Sequence, residues 1–350
     1  MTYARAFLAV PGDLTTLTGG YIYDRRLLRD LRDLGCDMTH IALPDSFPAP
    51  TEQDMDTAFA QLGHIPDDCP VIIDGLAFGA MDPARVAHVR APIVALVHHP
   101  LACENGLDAA RAQELHQSER ANLAHATQII VPSPHTASLL TSDYSVPPEH
   151  IHIARPGTDQ PFETAQPVDP PLILSVGIQL PRKGHDILLK ALAGVTDLDW
   201  QAKIVGAPLD KPHAQELEGL RVALGLTDRV TLTGQIEREN LGVLYREAHL
   251  FALATRFEGY GIVFDEALAH GLPIISCVAG AVPDTVPQNA GLLLPPDAPE
   301  AFADALRQVL DDANTHKDLA TAARGAGRAL STWKDTAIIA AAALEKARRP

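Results

Sequence analysis

The chain has 350 residues, of which 46% are apolar and 5% aromatic, and a formal net charge of -16. That length suits two cores rather than one, and the Ala/Leu/Val balance suits helices laid on buried strands better than an aromatic-rich sandwich. Residues 1–170 carry 10 Arg, no Lys and 22 Asp plus Glu, a surface that repels nucleic acid and disfavours docking on anionic lipid, so any phosphate ligand must be held by local donors.

From the N-terminus, MTYARAFLAVPGD reads as a first strand ending at Pro-Gly, without the cleavage pattern of a signal peptide. No apolar run approaches the roughly 20 residues that cross a bilayer, so the expected location is the cytoplasm. The strand-like runs RAFLAV, HIALP, VIIDG, PIVALV, QIIVPS and HIHIA follow one another in the first half. LILSVG, WQAKIVG, RVTLTG, LFALA, PIISCV and GLLLP do so in the second. Continuous apolar strands alternating with amphipathic helices predict parallel sheets buried on both faces, and two such sets predict two doubly wound α/β domains.

Pro156, Pro161, Pro167, Pro170 and Pro171 fall between the sets without helical period, the composition of an interdomain linker. The expected division is a first domain over 1–160, a linker over 161–171, a second domain over 172–330, and a C-terminal helix over 331–350. Ser331 and Thr332 would cap that helix and cations close it. Its pattern fits equally a helix that covers its own domain and one that crosses to the first. Cys36, Cys69, Cys103 and Cys277 lack the spacing of a zinc site or disulfide framework and read as reduced thiols.

Open α/β sheets bind ligands beyond the carboxyl ends of their strands, so the residues following each strand carry the functional information. After the first comes Gly19-Gly20, a place where a ligand could lie against bare backbone; after PIVALV comes His98-His99-Pro100. After LILSVG, Arg182 and Lys183 precede a helix with apolar Ile187, Leu188 and Leu192. Two cations beside a helix N-terminus make a diphosphate clamp, although a solvated pair is the commoner meaning of Arg-Lys alone. After LFALA comes RFEGYGIVFDEALAHG (256–271), with Gly259 and Gly261 in a turn and Glu258 and Glu266 on either side of it. Glycines at a strand-to-helix turn can be simple geometry. A carboxylate on an otherwise apolar helix, however, needs a partner.

Two patterns carry no function. Asp54-Met55-Asp56 and Asp197-Leu198-Asp199 imitate a metal-binding Asp-x-Asp, but both fall between a predicted helix and the next strand, away from the crevice, and read as solvated turns. Gly259-x-Gly261-x-x-Phe264 is not the dinucleotide fingerprint, because its third position is Phe.

Taken in order, SVGIQLPRKGHDILLKAL, VTLTGQIERENLGVLYREAHLFALA, FEGYGIVFDEALAHGLPIIS and AGAVPDTVPQNAGLLLPPD resemble the retaining glycosyltransferases of the two-domain GT-B fold, family 4 or group 1. The likeness covers about 172–310, with VHHPLACE, ERANLAHATQIIVPSPHT and IARPGTD agreeing more loosely in the first half. It implies two Rossmann-like domains facing across a cleft, a nucleoside-diphosphate sugar as co-substrate, an acceptor hydroxyl, and neither cofactor nor metal. Glu266 would accept from the ribose hydroxyls and Glu258 would touch the donor sugar. Gly259, Tyr260 and Gly261 amides, with Arg182 and Lys183, would hold the diphosphate. Gly234, Gln235 and Ile236 would line the base, His98 would reach the donor sugar near the reacting carbon, and Gly19-Gly20 would approach the diphosphate from the first domain. His98 is taken in preference to His99 because it lies nearer its strand. One departure is Ile178, where many members carry an Arg phosphate contact.

Three other readings are weaker. A glycosidase using Glu258 and Glu266 would need carboxyls roughly 5 to 9.5 Å apart, and eight helical steps of about 1.5 Å overshoot that. A nucleotide-sugar epimerase would need more acid-base residues in the crevice. A non-catalytic partner that binds nucleotide sugar is hinted at only by Ile178.

Overall fold

The computed structural model describes residues 5–348 apart from 105, 162 and 164. Contacts divide the chain into two compact units, Met1–Gly157 with Ser331–Pro350, and Thr158–Leu330. Among the described residues each holds one six-stranded sheet whose strands pair in parallel, and these twelve strands lie where the apolar runs place them.

In the first unit β1 (Ala6–Pro11), β2 (Met38–Leu43), β3 (Val71–Asp74), β4 (Ile93–Leu96), β5 (Gln128–Val131) and β6 (Ile151–Ile153) line up as β2-β1-β3-β4-β5-β6. Side chains alternate across a strand. Phe7 and Ala9 therefore join the core on one face while Ala6, Leu8 and Val10 join that on the other. The second core also takes Tyr23, Leu27 and Leu31 of the helix Gly19–Asp33, and Trp333, Ala337, Ala340, Ala341 and Leu344 of the last helix, Trp333–Ala347. The last helix therefore returns to the first unit, with an alanine-rich face against β4, β5 and β6. Thr332 and Asp335 form a reciprocal capping box at its start.

In the second unit β7 (Leu172–Val176), β8 (Gln201–Val205), β9 (Val230–Gly234), β10 (Ala248–Leu253), β11 (Ile274–Cys277) and β12 (Gly291–Leu294) line up as β12-β11-β10-β7-β8-β9. Both units are doubly wound, and the direction of winding reverses between β1 and β3 in the first and between β7 and β10 in the second. The proline-rich stretch 161–171, expected to be a linker, goes with the second unit: the amides of Gln166 and Val168 donate to the carbonyls of Arg246 and Glu247. All four cysteines are free. Among the described residues no helix is long and apolar enough to cross a membrane.

Candidate functional site

The reversal between β7 and β10 splays the connections that leave the two strands, and both deliver charged side chains to the gap. After β7 the chain runs into a short turn, Pro181–Lys183, and then through Gly184 into the helix His185–Ala193. Gly184 has φ 63°, and a Cβ there would lie 1.8 Å from the Ala254 carbonyl oxygen. Only glycine lets this turn press against the end of β10. Arg256 ties it down: its guanidinium meets both Asp186 oxygens at 2.9 Å, its Nε meets Asp297 at 2.7 Å, and its amide donates to the Arg182 carbonyl.

The clamped turn brings Lys183 Nζ to 2.6 Å from Glu258 Oε1 and Arg182 to 3.8 Å from Glu258 Oε2. Thr255 donates to Oε1 at 3.0 Å, the third contact to this carboxylate. Glu258 is 4% exposed and Lys183 8%. Burial pushes the Glu258 carboxyl up, but the charges of Lys183 and Arg182 and the bonds from Lys183 and Thr255 outweigh it and hold the group below the usual glutamate range. The carbonyl of Glu258 accepts from the Ala281 amide at 2.8 Å, with Gly280 packed beneath it.

Gly261, at φ 88°, precedes the helix Ile262–Ala269. Tyr260 is buried, its hydroxyl donating to Asp265 at 2.6 Å and its carbonyl accepting from Thr285 at 2.8 Å. Glu266 is half-buried and has the partner its position demands: Tyr245, from the helix Arg238–Glu247, donates to its Oε2 at 2.9 Å. The Tyr245 ring stacks on His270, 5.0 Å between centroids, and His270 Nδ1 lies 2.8 Å from the Glu266 carbonyl. Burial raises the Glu266 carboxyl above its usual range against the Tyr245 bond and the Arg238 charge. Gly234 closes β9 at φ 68° with open space beside it, Gln235 is exposed, and Ile236 packs partly against the core.

In the first unit Gly19 and Gly20 are the first residues of a helix rather than part of a loop. A Cβ on Gly20 would touch the His98 ring at 3.4 Å, whereas one on Gly19 would meet nothing within 4 Å. His98 Nε2 lies 3.0 Å from Asp24 Oδ1 and 3.3 Å from Asp74 Oδ2. Burial opposes the imidazolium, but the two carboxylates prevail and raise His98 to about 10. Burial and the Asp74 charge push Asp24 up to about 6 against His98. Asp24, Asp74 and His98 also bring ligand atoms within 4.8 Å of one another, a spacing compatible with a cation. Two carboxylate oxygens at hydrogen-bond length from one ring nitrogen are equally an ion-pair cluster. His99 meets Glu104 at 2.6 Å instead.

Sequence reasoning missed Asp24, Asp74, Asp186, Tyr245, Thr255, Arg256 and Gly280. The signals present were an Asp closing the wholly apolar strand VIID and the opposite charges of Arg256 and Asp186 inside two adjoining motifs. The two Asp-x-Asp patterns stay outside the site. Asp197 pairs with Arg307 at 2.7 Å in a turn before β8, and Asp199 is exposed. Asp54 and Asp56 lie on the helix Glu52–Leu62 rather than in a turn, Asp54 capping its start with Thr51 and Asp56 meeting Arg85 at 2.8 Å.

Residues 158–326 match the family of glycosyl transferases group 1. A D-inositol 3-phosphate glycosyltransferase of Mycobacteroides abscessus is 35% identical over 204 residues, 53% of this chain and 44% of its own length. An MMP alpha-(1->4)-mannosyltransferase of Mycolicibacterium hassiacum is 27% identical over 75% of this chain and 67% of its own length. The chain spans about half the length of the first curated relatives it matches. Sucrose-phosphate synthase of Thermosynechococcus elongatus superposes with a TM-score of 0.78 at 22% identity, over 95% of this chain and 97% of that one. Anabaena HepE, solved with UDP and glucose, superposes with a TM-score of 0.79 at 16% identity, over 97% and 99%. These likenesses establish the GT-B fold of two Rossmann-like domains.

Proposed function

We propose that the chain, whose residues 158–326 match the group 1 glycosyl transferases, moves a sugar from a nucleoside-diphosphate sugar to an acceptor hydroxyl with retained anomeric configuration. The observation that carries this reading is the meeting of Arg182, Lys183 and Glu258 where the second sheet reverses, beside the start of the helix Ile262–Ala269. Cations next to a helix N-terminus suit a diphosphate. A neighbour solved with UDP and glucose supports a nucleotide sugar as the ligand.

In this reading Glu266 accepts from the ribose and Glu258 from the donor sugar, while Arg182, Lys183 and the amides of Gly259, Tyr260 and Gly261 take the diphosphate. Gly234, Gln235 and Ile236 line the base. As the glycosidic bond breaks, charge accumulates on the diphosphate, and preorganised cations stabilise it more in the transition state than in the ground state. The chain's own cations supply that charge, so no divalent metal is required. Retention follows if the acceptor attacks from the face the diphosphate leaves, a phosphate oxygen taking its proton. The acidic first half favours a soluble or neutral acceptor.

The test is a thermal-shift screen of the full chain against nucleoside diphosphates and their sugars at low salt, since a ligand of the folded state raises its melting temperature. At least one nucleotide is expected to shift the melt and its sugar to be turned over. A melt indifferent to all of them would end the proposal.

A further inference from the structure

Arg182 and Lys183 lie on a turn with one pivot and two tethers. The pivot is Gly184, the left-handed residue between the turn and the helix His185–Ala193, and a glycine resists backbone rotation less than any other residue. The tethers are Pro181, just before the two cations, and Asp186, just after the pivot. Both end on one guanidinium. Arg256 Nη1 donates to the Pro181 carbonyl and to Asp186 Oδ1, and Nη2 donates to Asp186 Oδ2.

The Nε of the same group donates to Asp297, in the loop after β12. Asp297 has φ 56°, a left-handed conformation that residues other than glycine seldom adopt, and such strain persists where the neighbours over-determine it. One side chain thus joins the connections that leave β7, β10 and β12. Stability explains little of this. The side chain of Arg256 is 26% exposed and that of Asp297 59%, and ion pairs so open to water contribute little. A planar fork with acceptors on two sides fixes direction as well as distance, which a flexible ammonium does not. The Arg256 amide donates to the Arg182 carbonyl at 2.8 Å, a bond that side-chain substitution leaves in place. What the guanidinium adds is the orientation of the turn.

We propose that Arg256 is a positioning residue that touches no ligand itself: by gripping Pro181 and Asp186 on either side of the two cations, it holds Arg182 and Lys183 at the spacing a diphosphate needs. That the ligand is a nucleoside diphosphate rests on the transferase reading. Without the fork both cations keep their charge, but the turn that carries them can swing about Gly184. A misplaced cation loses the directed hydrogen bond and keeps only its weaker, screened attraction.

The test is calorimetry on the full chain with UDP, GDP, ADP and TDP, each against its own monophosphate, at a temperature well below the melt of every variant. The quantity read is the ratio of the two affinities, which a change in stability alone does not move. Wild type should bind one diphosphate at least about tenfold more tightly than its monophosphate, the equivalent of one charge-assisted hydrogen bond. Arg256→Ala should narrow that ratio to within about threefold, and so should Arg256→Lys, which keeps the charge and loses the fork. Asp186→Ala removes both oxygens at the other end of the fork; it carries the same expectation and decides the matter if the variants at 256 do not fold. A wild type that discriminates, with any folded variant discriminating equally well, overturns this proposal and leaves the transferase reading standing. A wild type that binds none of these nucleotides, or each pair alike, removes the diphosphate clamp on which the transferase reading stands, and this proposal falls with it.

Discussion

Lys183 and Glu258 stand 75 residues apart in the chain, yet their side chains meet at 2.6 Å in a nearly closed environment. A buried pair is weak evidence of stability but costly to break, because the survivor is left charged and desolvated. Lys183→Ala should therefore lose about 3–5 kcal/mol in chemical denaturation and lose donor binding as well. Replacing both residues by apolar ones should restore much of the stability and none of the binding. Glu258 has a folded value below its unfolded one, so its contribution is complete above about pH 4.5 and disappears as pH falls through the folded value; the variants should lose that acid limb. Asp197→Ala and Asp199→Ala, on the exposed turn before β8, should leave donor affinity unchanged. A Lys183→Ala protein with wild-type stability and binding would remove the pair from the site.

Tyr245→Phe removes the hydroxyl that meets Glu266 Oε2 and little else, since the ring can still stack on His270. The stability cost should be about 1 kcal/mol. The larger effect is on titration. Glu266 already sits above its usual range through burial, and the Tyr245 bond is the first influence that lowers it. Losing that bond raises it further. Only the carboxylate accepts two hydroxyl hydrogens, so the acid limb of donor affinity should move to higher pH in the variant, as read by the dissociation constant across mildly acidic pH. An unmoved limb would mean that Glu266 does not bind the donor as a carboxylate.

The order of strands and the helix carrying Glu266 were legible because buried parallel strands are apolar throughout and helices keep their own period. Lys183 and Glu258 were each legible beside their strands. Their contact was not, since it depends on β7 and β10 being neighbours, a fact of sheet order that no local pattern contains. Asp24 and Asp74 were hidden for the same reason: each is one acid in its own segment, and only the adjacency of β1, β3 and β4 converts them into the partners of His98. Thr255 acts through one hydroxyl on Glu258 and Gly280 through close backbone approach, and residue type barely signals either.

Gly280 tests how tightly the loop after β11 holds Glu258. Its φ is 54°, and a Cβ would fall 2.2 Å from the Glu258 carbonyl oxygen, a backbone atom with no room to yield. Gly225 has a similar φ of 69° and open space around it. Gly225→Ala should cost only the strain of a left-handed residue, about 1 kcal/mol. Gly280→Ala should cost more and weaken donor binding by displacing Glu258. Equal melting temperatures and equal binding in the two variants would show that the contact is slack.

Glu119 makes the first unit lose stability as pH rises from acid through neutral. It is 1% exposed on the helix Ala109–Leu123 and accepts the Leu101 amide at 3.0 Å, at the turn that follows His98-His99-Pro100. Burial raises it to about 8 against the bonds from Leu101 and Tyr144. Its folded value thus lies above its unfolded value of about 4.5, and between the two the folded state binds a proton that the unfolded state has lost. The contribution is complete below about pH 4.5 and fades as pH climbs towards 8, a drift of a few kcal/mol at about 1.4 per unit. His98 fades in the same direction at higher pH, so the wild-type slope alone does not isolate Glu119. Glu119→Gln keeps the acceptor for Leu101 and cannot ionise. Its melting temperature should therefore fall less steeply than the wild type's from pH 6 to pH 8, and parallel curves would place the proton elsewhere.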